Sequence, residues 1–458
     1  MSLSQDMLEQ NVAFLVLRYA IPSIVGMLST ALYIVLDGIF IGRFVGAEGL
    51  ASVHIVMPAF SFVAALGLMV SIGGGTVISI ELGRRNPEQA RLWFSMVLTV
   101  LIAVWAGSVL AVILRGEQVA IFLGADLTLI PGVLQYMRPL AYFSLPFIGN
   151  FFLDYILRAT GHPRKAMAIM VGASVLNIAL DALMIGVLGW GVRGAAYATG
   201  IAQLTGLCAM LLILVYHVKT FSLVPAWPKR RMLSRSLYNG SSEFFTEMSY
   251  GLSTLFFNRT LMRIIGVAGV SAYSIVNYIN VLVAFVIIGL SMSLQPLISV
   301  NLGAGKHRRV RTILLVGYLY SLGFGLSTLA LVYFNGAFLV SLFTVGNPAL
   351  QAMALNALQI IALSYFFKCI NIVSSGFFTA IEWAGTSVII SVSRGFVFIL
   401  VGLIVLPRFF DLQGVWMTMP FAELLTTFLS LTLIVHFFRN RTLIQDHTAM
   451  THYTDPKG

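Results

Sequence analysis

The chain has 458 residues, of which 59% are hydrophobic and 10% are charged, and its mean hydropathy is +0.92. A soluble domain carries about 25% charged residues, so the composition excludes a soluble globular protein and predicts an all-α integral membrane protein. The net charge of +11 comes from cations in short loops, which favours a topology signal over nucleic-acid binding. Cys208 and Cys369 lie in apolar stretches and indicate neither a disulfide framework nor a metal site.

Apolar stretches long enough to cross a bilayer recur along the chain with short polar breaks between them. They predict about twelve transmembrane helices: 12–40, 50–81, 94–114, 132–158, 166–188, 194–216, 236–262, 270–300, 312–334, 352–380, 386–406 and 414–437. The chain start shows no secretory signal pattern, so we expect the first span to remain as a helix.

The cations of the loops predict the orientation. Most of them follow spans 2, 4, 6, 8 and 12: Arg84, Arg85, Arg91, Arg158, Arg164, Lys165, Lys219, Lys229, Arg230, Arg231, Arg235, Lys306, Arg308, Arg309, Arg311, Arg439, Arg441 and Lys457. By the positive-inside rule, both termini face the cytoplasm. The loop after span 10 departs from the pattern, because it carries Glu382 and no cation.

The chain also repeats itself at one constant offset. Gly46 aligns with Gly266, and the segment ISIELG at 78–83 aligns with ISVNLG at 298–303. Each repeat holds six spans, an even number, so both halves enter the membrane from the same side as parallel repeats. We therefore predict three parts: an N-lobe at 1–218, a cytoplasmic linker loop at 219–235 and a C-lobe at 236–458.

Carboxylates stand in several of the apolar spans. A charge at membrane depth costs about 2.5–3.5 kcal/mol, so such a residue commonly marks an ion or substrate pathway. In the first half, four-residue spacing places three polar pairs on shared helix faces, and Thr199 adds a hydroxyl at similar depth. The pairs are Tyr33 and Asp37, Asn150 and Asp154, and Asn177 and Asp181.

These oxygen groups suit Na⁺, and the carboxylates among them can instead carry a proton. We interpret Asp37 and Asp181 as functional, because a neutral amide would join helices at lower cost. Helix-to-helix hydrogen bonding remains the alternative for Asn150, Asn177 and Thr199. For Asp154 the alternative is a structural ion pair with Arg158, one helical turn along the chain.

The second half carries acids of its own. Glu243 and Glu247 lie one turn apart on span 7, which favours binding of a proton or a substrate cation, although Glu243 also suits a solvated helix face. Glu423 lies deep in span 12. Three cations within the spans can neutralise some of these acids: Arg259, Lys368 and Arg394.

A proline also lies within span 1. Pro22 removes one intrahelical hydrogen bond, so it predicts a kink that either alters access to Asp37 or is passive. No motif for ATP hydrolysis or another enzyme activity is present in the sequence.

Several segments resemble the multidrug and toxic compound extrusion (MATE) family. They are LYIVLDGIFIGRFVGAEGLA on span 1, LRATGHPRKAM after span 4, and LNIALDALMIGVLGWGVRGAAYAT across spans 5 and 6. The stretches SSEFFTEMS and MPFAELL are similar to its DinF/MepA-like branch. The resemblance implies a V-shaped, two-lobed, monomeric exporter in a bacterial inner membrane, which expels cationic amphipathic drugs in exchange for H⁺ or Na⁺ and uses no cofactor.

The resemblance also implies an N-lobe site for the coupling ion. Its motif positions fall on Asp37, Asn177, Asp181 and Thr199, which would ligate the ion if it is Na⁺, with Tyr33, Asn150 and Pro22 nearby. Asp154 departs from the neutral amide expected there, which leaves the choice between H⁺ and Na⁺ open. We expect Glu247, with Glu423 or Glu243, to attract the drug.

Two other functions remain as alternatives. A lipid-linked oligosaccharide flippase of related two-lobed type would need a cationic cavity, against which these acids argue. A channel or structural membrane protein would need no coupled acid cluster, and a channel would conduct without exchange.

Overall fold

The computed structural model describes residues 3–218, 221, 230–344 and 347–439, and this part of the chain forms helices and short turns without any strand. The helices are α1 (Leu3–Glu9), α2 (Val12–Phe44), α3 (Ala47–Gly83), α4 (Pro87–Phe122), α5 (Ile130–Tyr142), α6 (Ser144–Ala159), α7 (Pro163–Asp181), α8 (Gly191–Ile213), α9 (Arg230–Ile265), α10 (Val267–Gly303), α11 (His307–Ser341), α12 (Pro348–Ala380), α13 (Ala384–Val392), α14 (Phe398–Val405) and α15 (Pro407–Arg439). Short π-helical turns extend α7 (Ala182–Val187) and α8 (Leu214–Val218) and join α13 to α14 (Ser393–Val397).

The helices confirm the predicted membrane architecture. Ten helical stretches in the described residues are long and apolar enough to cross a membrane, and α5 with α6, bent by 44°, makes an eleventh. The twelfth predicted span is α9, which packs along α3 but is less apolar because it carries Glu243, Glu247 and several serines. Of the predicted linker 219–235, residues 219, 220 and 222–229 lie outside the described residues, and 230–235 are helical.

The backbone repeats as the sequence does. Helix α10 begins and ends at the positions that the repeat makes equivalent to the ends of α3, and each helix follows a glycine with positive φ, +89° at Gly46 and +68° at Gly266. Three residues other than glycine also have positive φ in the described chain, and each has a glycine with positive φ at or beside its repeat-equivalent position. The pairs are Arg85 with Gly305, Glu382 with Gly161, and Asp411 with Gly191. The same turns are therefore built in both halves.

The two lobes, α2–α8 and α9–α15, meet where α3 packs on α9 and α2 on α10. Close backbone approaches between the lobes occur at several places, and two of them lie near the end of the bundle that carries α1, called the α1 end below. A Cβ atom built on Gly83 would lie 2.1 Å from the carbonyl oxygen of Val300, and one on Gly303 would lie 2.1 Å from that of Ile80. Glycine at both positions lets the helix backbones touch and closes the V at this end.

One ion pair explains the departure from the loop-charge pattern. Glu382, in the turn between α12 and α13, binds both Nε and Nη2 of Arg235, at 2.7 Å and 2.6 Å. The guanidinium group of Arg235 also lies 5.7 Å from the ring centre of Trp93 on α4. Glu382 therefore pairs with Arg235, a cation of α9 that also contacts the N-lobe.

Candidate ion and substrate site

A cavity of about 660 Å³, counting the space at its mouth, lies between α2, α6, α7 and α8 of the N-lobe. Its lining is mostly apolar and includes four methionines and two phenylalanines: Met27, Met170, Met210, Met292, Phe147 and Phe151. Five of the predicted coupling-ion residues also line it: Tyr33, Asn150, Asp154, Asn177 and Thr199. Met292 comes from α10, so the C-lobe contributes to this cavity.

The pair predicted on span 5 lies beside the predicted hydroxyl of span 6. Asn177 donates a hydrogen bond from Nδ2 to Oγ1 of Thr199, at 3.2 Å. The Oδ1 atom of Asn177 and both carboxylate oxygens of Asp181 are buried without a hydrogen-bond partner among the described residues. Buried polar atoms are normally satisfied, so each of these three oxygens is free to accept a hydrogen bond or to contact a cation.

Asp37 completes this group from α2. Helix α2 packs along α7 and its π-helical extension, and α7 ends at Asp181. The Oδ1 atom of Asp37 is also buried without a partner in the described part of the chain. Two neighbouring carboxylates avoid repulsion when one binds a proton or a cation lies between them. The coupling-ion role of Asp37 and Asp181 stays a prediction.

One residue that lines the cavity, Gln203, carries no strong signal in the sequence. Gln203 accepts hydrogen bonds from Nδ2 of Asn150 at its backbone oxygen (2.8 Å) and at Oε1 (2.6 Å). Its Nε2 lies 3.4 Å from the hydroxyl of Tyr33, so Gln203 connects α6 to α2. Gln203 lies one helical turn after Thr199, and this spacing is the sequence feature that places it on the same helix face.

Asp154 is held by its neighbour on α6. Its carboxylate lies 2.8 Å from Nη2 of Arg158, and both side chains are almost fully buried. Arg158 also donates to the hydroxyl of Ser23, next to Pro22 on α2. This is the geometry of a structural ion pair, which is the alternative given for Asp154. Asp154 also lines the cavity.

In the C-lobe, Glu423 is surrounded by partners. It accepts hydrogen bonds from Nδ2 of Asn371 at Oε2 (2.7 Å) and at its backbone oxygen (2.9 Å). Arg394 approaches its Oε1 at 3.8 Å, and Lys368 is buried on α12 three residues before Asn371. Two cations therefore accompany this carboxylate.

Glu243 and Glu247 are half-buried on α9, one helical turn apart, so their carboxylates share one face of the helix. Within the described residues, no three His, Cys, Asp or Glu side chains converge as they would around a metal ion.

Comparisons with known proteins agree with this architecture. The family model described as MatE matches the chain twice, over residues 22–183 and 243–404. The chain belongs to the MATE family. The multidrug export protein MepA of Staphylococcus aureus is 27% identical to this MATE protein over 431 residues, covering 93% of this chain and 94% of that one. MepA of Staphylococcus haemolyticus is 27% identical over 444 residues, covering 94% and 95%.

Solved MATE structures share the fold. A mutant of the Vibrio cholerae MATE transporter VcmN aligns with a TM-score of 0.89 at 21% identity, covering 97% of this chain and 100% of that one. An outward-facing multidrug resistance MATE family transporter aligns with a TM-score of 0.88 at 23% identity, covering 98% and 99%. The family and the V-shaped, two-lobed fold predicted from the sequence are confirmed, and this MATE protein is a multi-pass membrane transporter.

Proposed function

We propose that this MATE transporter exports cationic amphipathic drugs in exchange for H⁺ or Na⁺. The observation that carries the proposal is the pair Asp37 and Asp181, whose buried oxygens lack hydrogen-bond partners in the described residues. The relatives named as multidrug export proteins support export as the direction of transport. We also propose that it acts as a monomer in a bacterial inner membrane.

Orientation follows from the loop cations. If they face the cytoplasm, the α1 end is the cytoplasmic end, and both termini lie on that side. The lobes touch at that end, and we propose that in this conformation the drug and ion sites are reached from outside the cell. Alternating access then requires the contacts at Gly83 and Gly303 to separate.

The coupling ion enters from outside and binds between Asp37 and Asp181. If it is Na⁺, Oδ1 of Asn177 and the hydroxyl of Thr199 supply further hard oxygen ligands; if it is H⁺, one carboxyl group holds it. Ion and drug favour opposite-facing states, so each promotes release of the other by thermodynamic linkage. We propose that ion binding changes the bend of α2 at Pro22 and that this change in bend alters the cavity.

The drug site combines an apolar cavity with negative charge nearby. Methionine and phenylalanine side chains suit flat, polarisable ring systems. Glu247, with Glu243, is better placed to attract a cation than Glu423, which Lys368 and Arg394 already accompany. All three acids remain candidates for attracting the drug.

Ethidium efflux from proteoliposomes tests this proposal, with a Na⁺ gradient and a pH gradient applied in turn. Asp37→Asn and Asp181→Asn should each abolish gradient-driven efflux, because an amide neither binds a proton nor supplies a charge. Asp126→Asn, at an exposed aspartate in the turn before α5, is the matched control and should transport normally. Intact efflux in both site variants at normal expression overturns the assignment.

The same vesicles separate the alternatives. Efflux driven by Na⁺ alone assigns a Na⁺ site, and efflux driven by pH alone assigns proton carriers. Current without exchange indicates a channel. Absence of efflux with both gradients would support a flippase, although the family match does not favour one.

A further inference from the structure

Helix α1 and the first turns of α2 belong to the N-terminal half of the sequence, but they pack on the C-lobe. Leu15, Val16 and Tyr19 of α2 are buried in the same apolar cluster as Leu297 of the C-lobe. Met7 of α1, only 1% exposed, joins that cluster. The beginning of the chain is therefore attached to the C-lobe, although the later turns of α2 line the N-lobe cavity.

Lys306, just before α11, and Arg309, in the first turn of α11, bind carbonyl groups at the end of α1. Nζ of Lys306 lies 2.9 Å from the backbone oxygen of Leu8. Nη2 of Arg309 lies 2.5 Å from the backbone oxygen of Gln10 and 3.2 Å from that of Met7. The final carbonyl groups of a helix lack intrahelical partners and carry partial negative charge, so two cations satisfy them well.

The residues that make this attachment differ from those at the equivalent positions of the first repeat. The repeat-equivalent positions of Lys306 and Arg309 hold Asn86 and Gln89, which carry no charge. Asn301, which donates to the backbone oxygen of Met7 at 3.3 Å, is likewise replaced in the first repeat by a glutamate. The donors therefore occur in the repeat on which α1 packs. This favours a specific contact with α1 over cations that serve only the positive-inside rule.

We propose that α1 and residues 10–20, together called the N-terminal anchor, hold the α1 end of the transporter closed. Lys306 and Arg309 are its positioning residues: they fasten the first turns of α2 to the C-lobe, and these contacts break when the α1 end opens. Pro22 follows the anchor directly, and the part of α2 beyond it carries Asp37 in the N-lobe. One helix therefore links the coupling-ion site to the closure between the lobes. The inference rests on alternating access as proposed above.

The test measures the separation of the lobes directly. Spin labels replace Glu88 and Arg439, which are exposed on opposite lobes at the α1 end, in a Cys208→Ser/Cys369→Ala background. Electron–electron resonance in nanodiscs then gives the distance distribution. Arg309→Ala should raise the ratio of long to short distances roughly tenfold, the low end for the loss of a hydrogen bond with a charged donor. Lys306→Ala should act in the same direction, and Arg309→Lys should have a smaller effect.

Arg311→Ala is the matched control, because this cation lies on the same helix and packs over Phe438 instead of α1. It should keep the wild-type distribution. Wild-type distances in folded Arg309→Ala and Lys306→Ala overturn the anchor, and so does an equal shift in Arg311→Ala. If Arg309→Ala does not fold, Lys306→Ala decides alone. The measurement needs neither drug nor ion gradient, so shifted distances without drug transport would count against the proposed function and not against the anchor.

Discussion

Gln203 and Glu423 occupy the same place in the two repeats, and each accepts two hydrogen bonds from one asparagine. The donor is Asn150 in the N-lobe and Asn371 in the C-lobe, at 2.6–2.9 Å throughout. The two lobes therefore share one contact between their fourth and sixth spans. They differ in charge, since the acceptor is neutral in the N-lobe and a carboxylate beside Lys368 and Arg394 in the C-lobe.

This difference predicts the effect of Glu423→Gln. The bonds from Asn371 can remain, but Lys368 and Arg394 lose their nearby negative charge. We expect the free energy of unfolding to fall by about 1–3 kcal/mol. Thermal unfolding in detergent measures it, with Lys368→Met/Glu423→Gln as the variant that should recover part of the loss. Unchanged stability in the single variant would show that Glu423 does not compensate these cations.

Gln203→Ala should weaken drug binding. It removes the side-chain acceptor of Asn150, which keeps its bond to the backbone oxygen of residue 203, and it removes the contact with Tyr33 at the cavity wall. We expect roughly tenfold weaker ethidium binding by fluorescence anisotropy, because two side-chain hydrogen bonds that hold the cavity wall are lost. Thr205→Ala, at an exposed site on the same helix, provides the comparison. Equal affinities in the two variants would remove Gln203 from the site.

The pair of Asp154 and Arg158 should behave as a buried ion pair. Asp154→Asn or Arg158→Met alone leaves one uncompensated charge and should cost about 3–5 kcal/mol of stability, whereas the double variant should recover much of it. Chemical denaturation of the four proteins gives the coupling energy. If the folded double variant also retains coupled efflux, Asp154 is structural; additive losses would contradict the ion-pair interpretation.

Gly83→Ala should separate the lobes. The new Cβ atom would lie 2.1 Å from the carbonyl oxygen of Val300, so the helices must move apart at a cost of about 1–3 kcal/mol. Gly303→Ala should have a similar effect, because it meets Ile80 in the same way. Gly107→Ala, with open space around it, should be tolerated. Thermal unfolding measures all three, and equal stabilities would contradict the close backbone contact.

Asp411→Gly should stabilise the protein. Asp411 has φ of +46° where the first repeat has Gly191, and left-handed backbone costs a residue with a side chain about 1–2 kcal/mol. The melting temperature should therefore rise in Asp411→Gly and stay near wild type in Asp411→Ala, which keeps the Cβ atom. A fall in the glycine variant would mean that the carboxylate makes a contribution larger than the strain.

The sequence by itself determined the spans, the two repeats and the acids within the membrane, because apolar length, helical spacing and offset are properties of neighbouring residues. The tertiary structure decided which side chains meet: Gln203 with Asn150, Arg158 with Ser23, Glu382 with Arg235, and α1 with the opposite lobe. These contacts join residues far apart in the chain. They depend on the rotation and axial position of each helix against its neighbours, which packing fixes and local sequence does not.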